Sequence, residues 1–193
     1  MKIFILLACL WLTVSSCHHA GNGKPKESPA DDPEPAKFFP VTAFFKGQLA
    51  DVNERGLTPL KYTTVKGHTD SAWLKPGELQ SACAEFLHPE IDTVNLVKLF
   101  SEKKFMDQSI DAITFTYDAV SSLPDSMPLV HWDVYIEPLS GKVKRIYLVK
   151  NNGADKTIQL TWIADKWCSI NYIRDQPNGG SIIEKQEKIT WEF

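Results

Sequence analysis

Residues 130–141 run Val130-His131-Trp132-Asp133-Val134-Tyr135-Ile136-Glu137-Pro138-Leu139-Ser140-Gly141. Apolar side chains alternate with polar ones from Val130 to Ile136, and turn-forming residues follow. Successive side chains of a β-strand point to opposite faces, so one set is expected to be buried and the other to face solvent. The buried set is Trp132, Val134 and Ile136, and the solvent-facing set is His131, Asp133 and Tyr135. The stretch predicts a half-buried strand that leads into a short hairpin turn.

The same alternation recurs through the second half of the chain. It covers residues 113–117, 143–149, 157–164 and 189–193. Segments rich in Gly, Pro, Asn, Asp and Ser separate these runs, as short antiparallel connections require. These segments are residues 138–141, 151–153, 164–166 and 177–180. We predict about six antiparallel strands joined as a meander.

The first half of the chain is predicted to be mainly helical. Residues 42–51 place their apolar side chains near one stripe of a helix. Residues 76–87 do so again, with Pro76 in the first turn and Pro89 beyond the end. Two helices are therefore expected in the first half of the chain.

Two further stretches of the first half complete the prediction. Residues 60–65 are rich in β-forming side chains and end before Gly67, which indicates one early strand. Residues 91–106 are ambiguous, because their apolar spacing fits a short helix while their β-branched content disfavours one. The fold class expected is α+β, an antiparallel β-meander of about six strands with two or three N-terminal helices packed on one face.

A short apolar run near the amino terminus ends at a cysteine. Residues 3–12 are apolar, and Val14-Ser15-Ser16-Cys17 comes soon after them. The run is shorter than the roughly 20 residues that a membrane-spanning helix needs. It resembles the signal peptide and lipobox of bacterial lipoproteins, which implies that residues 1–16 are removed and that Cys17 carries a diacylglycerol and an acyl chain such as palmitate. An ordinary secretory cleavage site is the alternative, since Val14 and Ser16 also suit one.

The lipoprotein resemblance implies a location and a domain plan. It implies a membrane partner through the lipid anchor at Cys17, in the cell envelope and at the outer membrane. Residues 17–37 are polar and rich in proline, so we expect the lipidated cysteine to be followed by a disordered tether. Residues 38–193 are expected to form a single globular domain. The formal net charge of −3 argues against a nucleic-acid partner.

The hairpin over residues 132–143 resembles the strand-turn-strand of PepSY-type domains, which are small extracytoplasmic modules. The resemblance covers about a dozen residues and implies no activity. The basic residues that follow interleave with apolar ones, which is typical of a partly solvated strand that avoids edge pairing. They are Lys142, Lys144, Arg145 and Lys150.

Cys83 and Cys168 are the cysteines of the expected mature domain. An oxidising compartment favours a disulfide between them. Two separately buried thiols explain the sequence equally well, because Cys83 belongs to an apolar helical stripe and Cys168 neighbours Ile170. Catalytic thiol chemistry is not expected, since no histidine lies nearby in sequence.

No motif predicts catalysis or a bound metal. His131 and Asp133 share a strand face, as a metal site or a general-base pair would need, but such pairs are usually solvated. The pairs His68/Asp70 and His88/Glu90 have the same spacing. Ser101 and Lys104 match a Ser-x-x-Lys pattern without its accompanying elements. We therefore expect no catalytic residue, no metal site and no cofactor.

The tryptophans leave two functional classes open. Core packing is the default for Trp73, Trp132, Trp162, Trp167 and Trp191, and an aromatic-lined ligand cavity is the alternative. The first functional class is a non-enzymatic envelope protein that binds another envelope protein. The second is a small-ligand carrier with a cavity between helices and sheet, and an envelope hydrolase comes third. The ligand-binding residues are unknown from sequence.

Overall fold

A computed structural model describes residues 37–192 of the chain. The predicted signal peptide, Cys17 and all of the predicted tether except Lys37 lie outside the described residues, as does Phe193. The predictions made for those segments therefore stay predictions. The described residues fall within a single compact unit.

Helices precede most of the strands, as the sequence predicts. The helices are α1 (Val41–Glu54), α2 (Glu78–Ala82) and α3 (Ala84–Leu87). The strands are β1 (Leu60–Val65), β2 (His68–Trp73), β3 (Phe100–Asp107), β4 (Ala112–Ala119), β5 (Leu129–Ile136), β6 (Val143–Asn151), β7 (Lys156–Ile163), β8 (Trp167–Asp175) and β9 (Ser181–Thr190). The α+β class is confirmed.

One antiparallel sheet holds the nine strands in the order β2-β1-β9-β8-β7-β6-β5-β4-β3. Strands β3 to β9 are neighbours in chain order, so they form the predicted meander. The β1–β2 hairpin joins the far side of β9, where β1 pairs along residues 185–190. Strands β2 and β3 are therefore the two edges of the sheet.

The expected count of about six strands was wrong. The two edge strands were among those missed, because neither buries a continuous face. Every residue of β2 is exposed, and most of β3 is exposed as well. A strand without a buried face has no apolar alternation to reveal it. Residues 91–106, which were ambiguous, contain no α-helix and end in β3.

The helix predicted over residues 76–87 is also corrected. It divides at Cys83 into two short helices, and Gly77 precedes the first of them with a positive φ of 86° that only glycine adopts readily. The longer α1 is confirmed, and its buried side chains follow helical spacing. They are Val41, Thr42, Phe45, Leu49 and Val52.

The helices cover one side of the sheet, which we call the inner face. Two groups of aromatic rings fill the space between them. Trp162 lies with its ring centroid 4.9 Å from Phe45 of α1 and 5.1 Å from Phe86 of α3. Trp132 stacks on Tyr117 at 4.5 Å. The predicted core role is therefore confirmed for Trp132, Trp162 and Trp191, which are buried, and it was wrong for Trp73, which is 58% exposed.

The hairpin after β5 has the predicted turn. The Glu137 N–H donates to the Lys142 carbonyl at 2.8 Å, and the Gly141 N–H donates to the Glu137 carbonyl at 2.9 Å. Gly141 has a φ of 69°, which a side chain would strain. The turn fixes the register of β5 on β6, and that register decides which side chains meet on each face.

Candidate functional site

The candidate site is the outer face of the sheet, which is the side turned away from α1. The pairing register lines up outer-face side chains in rows that cross the strands. One row, which we call the transverse row, extends over all nine strands of the described sheet. Its members are Trp73, Leu60, Thr190, Trp167, Ile163, Arg145, Tyr135, Thr114 and Phe105. Most of its members are apolar or aromatic, and the rows beside it are mainly polar.

His131 lies at the centre of a polar network on this face. Its Nδ1 atom is 2.9 Å from Oδ1 of Asp118 on β4, and its Nε2 atom is 3.1 Å from Oδ2 of Asp133 on the same strand. The predicted pairing of His131 with Asp133 on one face is therefore found. The expectation that this pair is simply solvated was wrong, since Asp133 is buried and His131 is about one quarter exposed.

Both ring nitrogens of His131 face carboxylate oxygens, and a neutral imidazole has only one N–H to donate. The contact with Asp133 raises the pKa of His131 above its ordinary value, against the effect of partial burial, and Asp118 raises it further. This geometry favours the charged imidazolium, which donates to both carboxylates.

The two carboxylates are held by other strands as well. Lys103 Nζ on β3 donates to Asp118 at 3.0 Å and is the main reason why the pKa of Asp118 is lowered. Thr116 Oγ1 donates to Asp133 Oδ1 at 2.6 Å. Burial alone would raise the pKa of Asp133, but its contacts with His131 and Thr116 outweigh that effect and lower it. The network therefore ties β3, β4 and β5 together.

Basic side chains lie over aromatic rings on the same face. The Arg145 guanidinium lies 3.9 Å from the centroid of the Tyr135 ring, and Lys188 Nζ lies 4.9 Å from that of Trp167. Burial raises the pKa of Tyr135, and the nearby Asp133 charge raises it further. The rings and their cations form a face that is neither strongly charged nor strongly apolar.

A second polar group lies on the inner face and was missed from sequence. Lys150 is buried, and its Nζ donates to the Glu85 carbonyl oxygen of α3 and lies 3.0 Å from Glu85 Oε2. Burial lowers the pKa of Lys150, although Glu85 opposes that change. The sequence gives no sign of this role, because a lysine among other basic residues resembles a solvated position.

The remaining sequence candidates lie outside this network. His68 and Asp70 are exposed on the edge strand β2. Glu90 forms an exposed ion pair with Lys46 of α1. Ser101 and Lys104 are three positions apart on β3, so they point to opposite faces of the sheet and cannot converge as a Ser-x-x-Lys site would require.

Cys83 and Cys168 are close together inside the protein. Both are fully buried thiols, and their Sγ atoms are 3.8 Å apart. Burial raises the pKa of Cys168, and the neighbouring Cys83 adds to that shift. In this structure they are two free thiols in contact, and no disulfide joins them.

The described surface has several depressions. A groove of about 520 Å³ lies where the β4–β5 connection meets the ends of the strands, and Leu123, Met127 and Asn151 line part of it. A smaller one of about 230 Å³ lies beside Tyr172 and Lys185. A third, of about 370 Å³, lies beyond the end of α1, and Arg55, Leu57 and the core residue Trp191 line part of it.

Residues 37–192 lack two further features that mark functional sites. No helix in that range is long and apolar enough to cross a membrane. The same range holds no group of three or more His, Cys, Asp or Glu side chains arranged to bind a metal ion.

Comparison with protein-family models, with curated proteins and with solved structures finds no match for this chain.

Proposed function

We propose that the chain is a non-enzymatic binding domain of a lipid-anchored cell-envelope protein and that the outer face of its sheet binds another envelope protein. The lipid anchor at Cys17 is part of this proposal, and its support comes from the sequence of residues 1–17. The binding surface has its support in the geometry of the sheet.

The observation that carries the proposal is the contrast between the two faces. The inner face is filled by α1, α3 and the rings around Trp132 and Trp162. The outer face presents Tyr135, Tyr147 and Trp167, each of them only partly buried, with no described helix packed over them. Large rings left at an uncovered sheet surface are typical of binding faces.

The chemistry of the outer face suits a protein partner. Tyrosine and tryptophan supply rigid contact area, and hydroxyl and amide side chains beside them supply adaptable hydrogen bonds. Such polar side chains include Gln159, Thr161, Asn171 and Gln186. Nine strands spaced by about 4.8 Å, with four rows along the central strands, give roughly 800 Å², which is one side of a standard interface.

The small-ligand carrier is the second candidate and has weaker support. It needs a cavity between the helices and the sheet, and the Phe45, Phe86 and Trp162 rings occupy that space. The groove of about 520 Å³ lies elsewhere and opens to solvent at the end of the sheet. A hydrolase stays third, because His131, Asp118 and Asp133 of the outer face are already paired with one another.

Site-specific photo-crosslinking in the producing cell tests the proposal. A photoreactive phenylalanine analogue at Tyr147 reports on the outer face, and the same analogue at Ala50 on the exposed side of α1 is the matched control. We expect one adduct of defined mass at position 147 that is absent at position 50. The adduct should also disappear when Arg145→Glu and Trp167→Ala alter the same face. No adduct, or the same set of adducts at both positions, would overturn the proposal.

A further inference from the structure

We propose that Cys83 and Cys168 are joined by a disulfide in the mature protein and that this bond locks the α2–α3 segment onto strand β8. The proposal is independent of the outer face. It rests on the extracytoplasmic location in the proposed function, because that location supplies the oxidising compartment.

The geometry favours this bond. The two sulfur atoms are 3.8 Å apart, and a disulfide needs them at about 2.05 Å, so side-chain movements of less than about 2 Å bring them into bonding distance. Cys168 pairs in register with Trp162 of β7 and Ile189 of β9, so its strand lies within the sheet rather than at an edge. The sulfur of Cys83 is therefore directed at a rigid part of the fold.

The local structure explains why a covalent link is useful there. Cys83 is the junction between α2 and α3, which have only five and four residues. Helices this short are not stable alone and depend on tertiary contacts. Glu85, two residues further on, is already held to β6 through Lys150. A bond from Cys83 to β8 would fix the segment at a second strand.

The chemistry balances as a thiol–disulfide exchange with an oxidant of the dithiol–disulfide class. One cysteine, as its thiolate, attacks the disulfide of the oxidant and forms a mixed disulfide. The second cysteine then displaces the oxidant, so that two thiols of this chain lose two electrons and two protons while the oxidant leaves as a dithiol. Both sulfurs are fully buried in the fold, so we infer that the exchange occurs before folding is complete.

Peptide mapping of the full chain tests the proposal. The protein is prepared from an oxidising compartment, alkylated without reduction and digested, and the linked peptide that contains Cys83 and Cys168 is sought by mass spectrometry. We expect that peptide in the wild type and its loss in Cys83→Ala. A reducing agent should lower the melting temperature of the wild type and leave that of the double variant Cys83→Ala/Cys168→Ala unchanged.

Refolding in a glutathione redox buffer tests whether Cys83 and Cys168 can form a disulfide, independently of the cellular location of the protein. If Cys83 and Cys168 are both alkylated after refolding with oxidised glutathione, the sulfurs do not pair and the proposal is overturned. If the bond forms in the buffer but is absent from protein isolated from the cell, the proposal is overturned for the mature protein. In that case the proposed extracytoplasmic location is what fails.

Discussion

Replacing His131 with alanine should destabilise the fold, and the size of the effect should depend on pH. His131 contacts Asp118, whose side chain is 40% exposed, and Asp133, whose side chain is 13% exposed. We assign about 0.5 kcal/mol to the first contact, because exposed ion pairs are weak. The second is a charge-assisted bond at a largely buried carboxylate and is given about 1.5 kcal/mol. The expected loss is therefore about 2 kcal/mol near pH 5.5.

The pH dependence follows from the directions of the pKa shifts. The folded pKa of His131 is raised, so the stabilisation is fully present below the ordinary histidine value of about 6.5 and is lost as pH rises through the folded value. The pKa values of Asp118 and Asp133 are lowered, so their stabilisation is present above about 3.9 and is lost as pH falls through the folded values. The effect of the substitution should therefore be greatest between these limits.

Urea unfolding of the wild type and His131→Ala at about pH 5.5 and pH 9 measures the effect. The matched control is His68→Ala, which removes an exposed histidine of the edge strand and should change stability by no more than about 0.5 kcal/mol. The reasoning is refuted if His131→Ala costs no more than the control at pH 5.5, or if its cost is the same at both pH values.

Three further predictions concern the core, the inner ion pair and the anchor. Trp132→Ala should lower the free energy of unfolding by about 3–5 kcal/mol, because Trp132 is fully buried, whereas Leu139→Ala at a position 96% exposed should stay within about 0.5 kcal/mol; equal urea midpoints would contradict the core assignment. Glu85→Ala should lower the free energy of unfolding by about 1–2 kcal/mol, because it leaves the Lys150 ammonium buried with only a carbonyl partner. Lys150→Met should lower it less, because it removes the buried charge. A lower melting temperature for Lys150→Met than for Glu85→Ala would contradict that account. Cys17→Ala should move the protein from the membrane fraction to the soluble fraction, and an unmodified Cys17 in the mass spectrum of the wild type would contradict lipidation.

The sequence predicted most of the strands that bury one face, but it missed β8, which buries Cys168 and Ile170. Alternation around Trp132, Val134 and Trp162 identified β5 and β7, and turn-forming residues identified the connections between strands. Trp132 and Val134 are fully buried as expected, and Ile136 is partly so. Periodicity works at these positions because a half-buried strand must separate its apolar side chains from its polar ones.

The features that were missed depend on partners distant in sequence. Asp118 meets His131 only because β4 and β5 pair in one particular register. Lys150 is buried only because Glu85 of a helix far away in sequence lies over its strand. A single residue gives no local sign of such a partner, so the polar network and the inner ion pair could not be read from periodicity.

Hydroxyl-radical footprinting tests the central claim most directly, because it needs no knowledge of the partner. Oxidation of Tyr147 and Trp167 is compared between the protein in intact membranes of the producing cell and the purified protein, with the exposed Leu139 as the internal reference. If the outer face is the binding surface, both aromatic side chains are oxidised less in membranes while Leu139 is unchanged. Equal oxidation of Tyr147 and Trp167 in the two preparations would contradict the account.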